Sequence, residues 1–261
     1  MPNSYPELGK RITPVLLTYN EAPNLARTLA SLAWAERVVI VDSGSTDETR
    51  AIAETFSNTV WKYRAFDTHA RQWDFAIQSP EIATDYVFAL DADMTVRREF
   101  LDESLRRFLP SNYSAAIVPF RYVVEGVMLR GSLYPAQIRL FRRDAVSVQQ
   151  CGHTQVFECT GGAVYSFKEF LLHDDRKPFD HWLRSQVKYA QLESARLNSC
   201  RRLSAKDRLR SCGLMPLIAA VTGYVRSGGV FAGKAALRYA HERMLYECVL
   251  GIHLARSASD S

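Results

Sequence analysis

The chain has 261 residues, 47% of them apolar and 23% charged, with a formal net charge of +5. This is the make-up of an ordinary globular protein and excludes a disordered chain or a fibre; the length suits one large α/β domain or two small ones. The charge is uneven, since residues 181–261 carry 13 Lys and Arg against 5 Asp and Glu, while the remainder carries 20 against 23.

In chain order, residues 13–18 (TPVLLT) read as a strand and 24–33 as a helix. Residues 37–42 (RVVIVD) are an apolar strand closing on an aspartate, followed by a helix over 46–56 and a short strand over 58–63. A helix over 69–78, a buried strand over 85–91 (DYVFALD) and a helix over 99–109 complete the first part. This rhythm predicts a mostly parallel sheet covered on both faces. The pattern then changes: residues 115–122, 125–129, 137–141 and 163–167 read as strands separated by turns, without regular crossover helices. From residue 179 onward the spacing is helical, over 179–198 and 233–256 with shorter segments between. The chain thus divides into residues 1–114, a mixed-sheet extension over 115–180, and a basic helical region over 181–261.

The five cysteines, Cys151, Cys159, Cys200, Cys212 and Cys248, show no CxxC pair or zinc spacing and read as reduced thiols of a cytosolic protein. The N-terminal MPNSYPELGKR has no apolar stretch. The longest apolar run, residues 214–225 (LMPLIAAVTGYV), falls short of the roughly 18–20 residues that span a bilayer.

In parallel α/β sheets ligands bind beyond the carboxyl ends of the strands. Three polar clusters fall there: Thr18-Tyr19-Asn20-Glu21, Asp42 with the Ser43-Gly44-Ser45-Thr46-Asp47 turn, and Asp91-Ala92-Asp93. Asp42 can accept from a ribose hydroxyl or a base N–H, and Ser45 with Glu48 has the spacing of a capping box. Asp91 and Asp93, separated by one small residue, repel unless a cation joins them; hard oxygen ligands favour Mg²⁺ or Mn²⁺, which would bridge to a diphosphate. His173-Asp174-Asp175 follows an apolar run and can end a further strand. There His173 is a candidate third metal ligand, and Asp174 or Asp175 a candidate base for an acceptor hydroxyl. Arg176 and Lys177 suit phosphate contacts, the alternative being a solvated turn before the next helix. Arg139 either meets a diphosphate or lies on a solvated edge strand.

TYNEAPNLARTLASL, VVIVDSGSTDET, FALDADMTV and YPAQIRLFRRD, as they stand here, resemble the family 2 glycosyltransferases, in the branch that builds lipopolysaccharide core. The likeness covers roughly residues 12–180. It implies a GT-A, Rossmann-like fold and inverting transfer from a nucleotide-diphosphate sugar. It also implies donor recognition by residues 18–21 and Asp42, a nucleoside contact from Asp91, and metal ligation by Asp93. Two departures stand out. Relatives carry a His-Glu pair where this chain reads Cys151-Gly152-His153-Thr154-Gln155, which leaves His153 as a candidate contact, and a Lys-Asn pair where it reads Gln72-Trp73-Asp74, which puts Gln72 at the donor.

The expected activity is therefore a metal-assisted glycosyl transfer onto an envelope glycan or lipid-linked acceptor. It is placed in the cytoplasm, with the basic tail on the anionic inner face of the membrane; helices packed on the catalytic domain and a dimer contact are the rival readings of that tail. A nucleotidyltransferase is disfavoured because TYNEAPN lacks a glycine-rich phosphate loop. A non-catalytic nucleotide-sugar-binding module stays open, and no nucleic-acid motif is present.

Overall fold

In a computed structural model, the described residues are 5–151, 154–199 and 204–259. Their elements begin with α1 (Pro6–Arg11), β1 (Ile12–Thr18), α2 (Ala22–Ser31), β2 (Val38–Asp42), α3 (Thr49–Glu54), β3 (Thr59–Tyr63) and α4 (His69–Ile77). There follow β4 (Tyr86–Asp91), β5 (Met94–Thr95), α5 (Arg98–Glu103), β6 (Ala115–Val118), β7 (Phe120–Val124), β8 (Val127–Met128) and β9 (Gln137–Arg142). The chain continues through β10 (Val146–Cys151), β11 (Thr154–Cys159), β12 (Val164–Ser166), β13 (Leu171–His173), α6 (Phe179–Ser199), α7 (Ala205–Ser211), α8 (Met215–Ser227) and α9 (Gly233–Ser259).

These fall into two compact units, one formed from residues within 1–120 and 135–176, the other from 121–134 and 177–261. The first unit is built on a seven-stranded sheet in the order β12-β6-β9-β4-β1-β2-β3. β4, β1, β2 and β3 run parallel, as the β-α rhythm requires, and β9 is antiparallel to both β4 and β6. Alternate residues of each strand face opposite sides. Leu16, Ile40 and Phe88 meet α2 and α5 through Leu25, Leu29 and Phe100, whereas Val15, Val39 and Val41 meet Trp73, Ala76 and Ile77 of α4. Phe100 stacks between Phe88 and Phe167, with ring centroids 5.3 and 4.4 Å apart.

Within this unit the structure departs from the sequence expectation in three places. The helix expected over 46–56 is confined to α3, and no capping box forms. Ser45 Oγ instead donates to Asp42 and accepts from the Asn20 amide, while Asp47 accepts from the Thr49 and Ala22 amides. The helix expected over 99–109 loosens after Glu103 into a π turn and then a 3₁₀ turn. The β10–β11 hairpin, unanticipated, lays Phe157 edge-on against Trp73, with centroids 5.3 Å apart.

The second unit is helical and includes a β hairpin closed by Glu125-Gly126, both at positive φ (52° and 78°), as a two-residue type I′ turn demands. Sequence groups 121–134 with the strands of 115–180. Leu129, Tyr122 and Val124 instead pack with Ala235 and Tyr239 of α9. At Gly223 α8 lies close to α9: an added Cβ would stand 3.7 Å from Ala240, an ordinary van der Waals contact. Arg210 of α7 lies buried and bridges Glu193 of α6 and Glu247 of α9 at 3.2 and 2.9 Å. Burial opposes its charge, but the hydrogen bonds and field of Glu247 hold its guanidinium well above the ordinary value.

Because Phe100 is held by two aromatic neighbours and almost fully buried, Phe100→Ala is expected to cost about 3–5 kcal/mol, read as a lowered midpoint in chemical denaturation. Phe100→Leu is expected to lose far less.

Candidate active site

The parallel register puts Thr18 opposite Asp42 and Leu17 opposite Asp91, so the ends of β1, β2 and β4 lie side by side. At this edge Asp42 is buried. Its Oδ1 accepts from Thr18 Oγ1 at 2.8 Å and from Ser45 Oγ; its Oδ2 accepts from the Gly44 and Ser45 amides, each at 2.8 Å. Gly44 sits at φ +101°, a conformation open to glycine that turns both amides back onto the carboxylate. The first loop is sewn to this turn. Asn20 Oδ1 accepts from the Thr46 amide and Thr49 Oγ1 from the Glu21 amide, both at 2.8 Å. Tyr19 is left exposed at the rim.

Asp47 fixes the same junction. Burial tends to raise its carboxyl, but hydrogen bonds from the Thr49 hydroxyl and amide and the Ala22 amide outweigh this and hold it below the ordinary value. Gln72 is buried too. Its amide donates to Ser43 Oγ at 3.1 Å and to the Arg64 carbonyl at 3.0 Å, while its oxygen accepts from the Arg64 guanidinium. In this structure Gln72 braces the 43–45 turn from beneath.

Asp91 and Asp93 leave the end of β4 on either side of buried Ala92, whose carbonyl accepts from Thr28 Oγ1 at 2.6 Å. Two side chains come to them, one from β9 of this sheet and one from β13, which pairs with β5 outside it. Arg139 of β9 donates both terminal nitrogens to Asp91, at 3.2 and 3.1 Å, and also holds Gln137. Burial opposes the charge on Asp91, but Arg139, with smaller contributions from His173 and His69, keeps its carboxyl below the ordinary range. His173 ends β13, which runs antiparallel to β5, and its Nε2 lies 3.6 Å from Asp93 Oδ2. Ligand atoms of Asp91, Asp93 and His173 all lie within 4.8 Å of one another. This donor set fits a divalent cation such as Mg²⁺ or Mn²⁺. The fork of Arg139 uses one lone pair on each Asp91 oxygen, and a carboxylate retains further acceptor positions.

The next residues are clamped by α2. Asn24, buried on that helix, donates to Glu21 Oε2 and Asp175 Oδ1 and accepts from the Arg176 amide, each at 2.9 Å. Arg27, one turn on, donates to the Asp174 carbonyl. Arg176 closes on Asp174 Oδ2 at 2.9 Å. Burial pushes the Arg27 guanidinium down, with Asp174 acting in the opposite sense.

The structure therefore gathers Thr18, Asn20, Glu21, Asp42, Asp91, Asp93, Arg139, His173, Asp174, Asp175 and Arg176 at one end of the sheet. Lys177 belongs to the helical unit, and His153 lies outside the described residues. Sequence reasoning missed Asn24 and Arg27. Both stand within TYNEAPNLART, where helical periodicity made them ordinary surface positions of α2.

Asp47 has a lowered folded-state pKa, so its stabilisation is full above the ordinary carboxylate value and disappears as pH falls through the folded one. Asp47→Asn is thus expected to lower Tm by about 2–4 °C at neutral pH. The gap to the unmutated protein should close below about pH 4, as followed by thermal melts across pH.

Residues 14–171 match the family model described as Glycosyl transferase family 2. The lipopolysaccharide core biosynthesis glycosyltransferase LpsC of Rhizobium meliloti is 26% identical over 250 residues, spanning 82% of this chain and 88% of LpsC. An uncharacterized glycosyltransferase of Rickettsia bellii is 33% identical over 97 residues, 37% of this chain and 32% of its own. The crystal structure of S. aureus TarS residues 1–349 in complex with UDP-GlcNAc superposes with a TM-score of 0.51 at 12% identity, covering 96% of this chain and 92% of that one. With its GT-A architecture and a family match over most of the catalytic unit, the chain belongs to glycosyltransferase family 2 and is a glycosyltransferase.

Proposed function

We propose that the protein transfers a sugar, with inversion, from a nucleotide-diphosphate sugar to a hydroxyl of an envelope glycan or lipid-linked acceptor. The observation that carries this reading is the convergence of Asp91, Asp93 and His173 beside the Asp42 turn. Support for a nucleotide-sugar donor comes from the TarS complex with UDP-GlcNAc, which shares the fold, and support for an envelope acceptor from the name of LpsC. The unpaired cysteines Cys151, Cys159, Cys212 and Cys248 accord with a reducing compartment, and we place the reaction in the cytoplasm.

Asp93 and His173, with the open side of Asp91, would hold Mg²⁺ or Mn²⁺. A cation there offsets charge on the leaving diphosphate. The chain's own groups do the rest. Exposed Tyr19 offers a ring face to the base of the nucleotide. Asp42, saturated by four donors, keeps the loop of residues 18–21 and the 43–46 turn in one shape. Arg139 neutralises Asp91 so that the pocket can receive a polyanion, and Arg176, more than half exposed along its side chain, is available to a phosphate.

For the base we assign Asp175. Asp174 is largely covered, with Oδ2 against the guanidinium groups of Arg27 and Arg176. Asp175 is exposed, and Asn24 orients its carboxylate through Oδ1. It would take the acceptor hydroxyl proton as that oxygen attacks the anomeric carbon and the C–O bond to the diphosphate breaks.

The test is nucleoside diphosphate release from UDP-, GDP- and ADP-linked sugars, with envelope lipid extract as acceptor. One donor is expected to be consumed with Mn²⁺ or Mg²⁺, falling at least about a hundredfold with EDTA or in Asp93→Ala. Asp175→Asn is expected to lower kcat by about 10²–10⁴ with donor affinity kept. Donor retained without release under every condition would instead favour a binding module.

A further inference from the structure

The helical unit carries an apolar surface that the chemistry above leaves unused. α8 buries Met215, Ala219, Gly223 and Ser227 against the rest of its unit. The opposite side presents Leu214, Leu217, Val221 and Val225, spaced three or four residues apart and hence aligned along one face. Leu217, Val221 and Val225 are 66, 65 and 67% exposed, and the turn that follows adds Val230 at 75% and Phe231 at 81%. A water-soluble helix normally turns such a stripe inward; here the helix has apolar residues on both sides.

The charges on the segment that carries the stripe have one sign. From Arg208 to His241 the chain contains no Asp or Glu. Arg208 precedes the helix, Arg226 closes it and Lys234 follows, all exposed. The Arg130 guanidinium lies 4.9 Å from the Phe231 ring centroid, placing a cation on the most exposed apolar group.

We propose that this face of α8, with Val230 and Phe231, docks on an anionic lipid bilayer. Apolar side chains enter the acyl boundary, and the surrounding Lys and Arg meet acidic headgroups. The 13 residues of α8 span about 20 Å at 1.5 Å per residue, against roughly 30 Å of hydrocarbon. The helix therefore lies along the surface, and no described helix is long and apolar enough to cross. A second copy of this chain is a poor occupant, because it would oppose one uncompensated basic rim to another. The bilayer supplies both the apolar phase and the counter-charge.

The experiment is co-sedimentation of the full chain with phosphatidylcholine vesicles, with and without phosphatidylglycerol. The unmutated protein is expected to pellet with the phosphatidylglycerol vesicles and to be released in large part by high salt. Leu217→Ser/Val221→Ser/Phe231→Ser is expected to lower the partition coefficient at least about tenfold. Replacing these exposed side chains should leave the melting temperature unchanged, which checks that folding is intact. Binding to neither vesicle, or equal binding by the triple variant, would overturn the proposal. So would a dimer in solution that the triple variant dissociates, which would assign the face to a second copy. No donor, acceptor or turnover enters the measurement, so its failure would leave the transferase reading untouched.

Discussion

Two carboxylates separated by a single alanine, at the end of a buried strand, set the terms for the rest of the catalytic unit. Asp91 and Asp93 cannot both remain ionised there without positive charge nearby. The fold meets this at Asp91 with the guanidinium of Arg139. β9 runs antiparallel beside β4 and delivers Arg139 to Asp91, and β13 runs antiparallel beside β5 and delivers His173 to Asp93. An antiparallel strand of the main sheet thus carries the counter-charge of Asp91, and a strand outside that sheet brings an imidazole to Asp93. Arg139 compensates Asp91 closely, and ligand atoms of both carboxylates and the imidazole stay within 4.8 Å of one another.

A second constraint is mechanical. The loops after β1 and β2 and the segment after β13 lie far apart in sequence, yet each is tied to the next by side chains with little freedom. Asp42 closes its own turn and holds Thr18; Asn20 and Thr49 join the first two loops; Asn24 carries the connection to Asp175 and Arg176. Such a chain of hydrogen bonds fixes these loops to one another before any ligand arrives, and preset geometry of this kind is where positioning contributes to rate.

Much of this was legible in the residues. Apolar strands closing on Asp42 and Asp91 located the carboxyl edge, and the parallel register then followed from the helices between them. The run before His173 correctly suggested a strand end. Other features were hidden for physical reasons. Asn24 and Arg27 look like routine helix positions until the 174–176 segment folds over them. Ser45 and Glu48 have capping-box spacing, but Asp42 takes the serine hydroxyl, so that the helix starts later. Gln72 was legible as a departure from a motif, while its burial beneath the 43–45 turn is set by tertiary packing. Residues 121–134 alternate like the strands around them, and the partner that draws them away, Tyr239, lies more than a hundred residues on.

The proposed function rests on Asp91, Asp93 and His173 forming one divalent-cation site. Electron paramagnetic resonance of Mn²⁺ titrated into the protein tests this without need of substrate. A saturable site of one ion per chain is expected, lost in both Asp93→Asn and His173→Ala and retained in Asp175→Asn. Equal Mn²⁺ binding by all four proteins, or none by the unmutated one even with nucleoside diphosphate present, would contradict it.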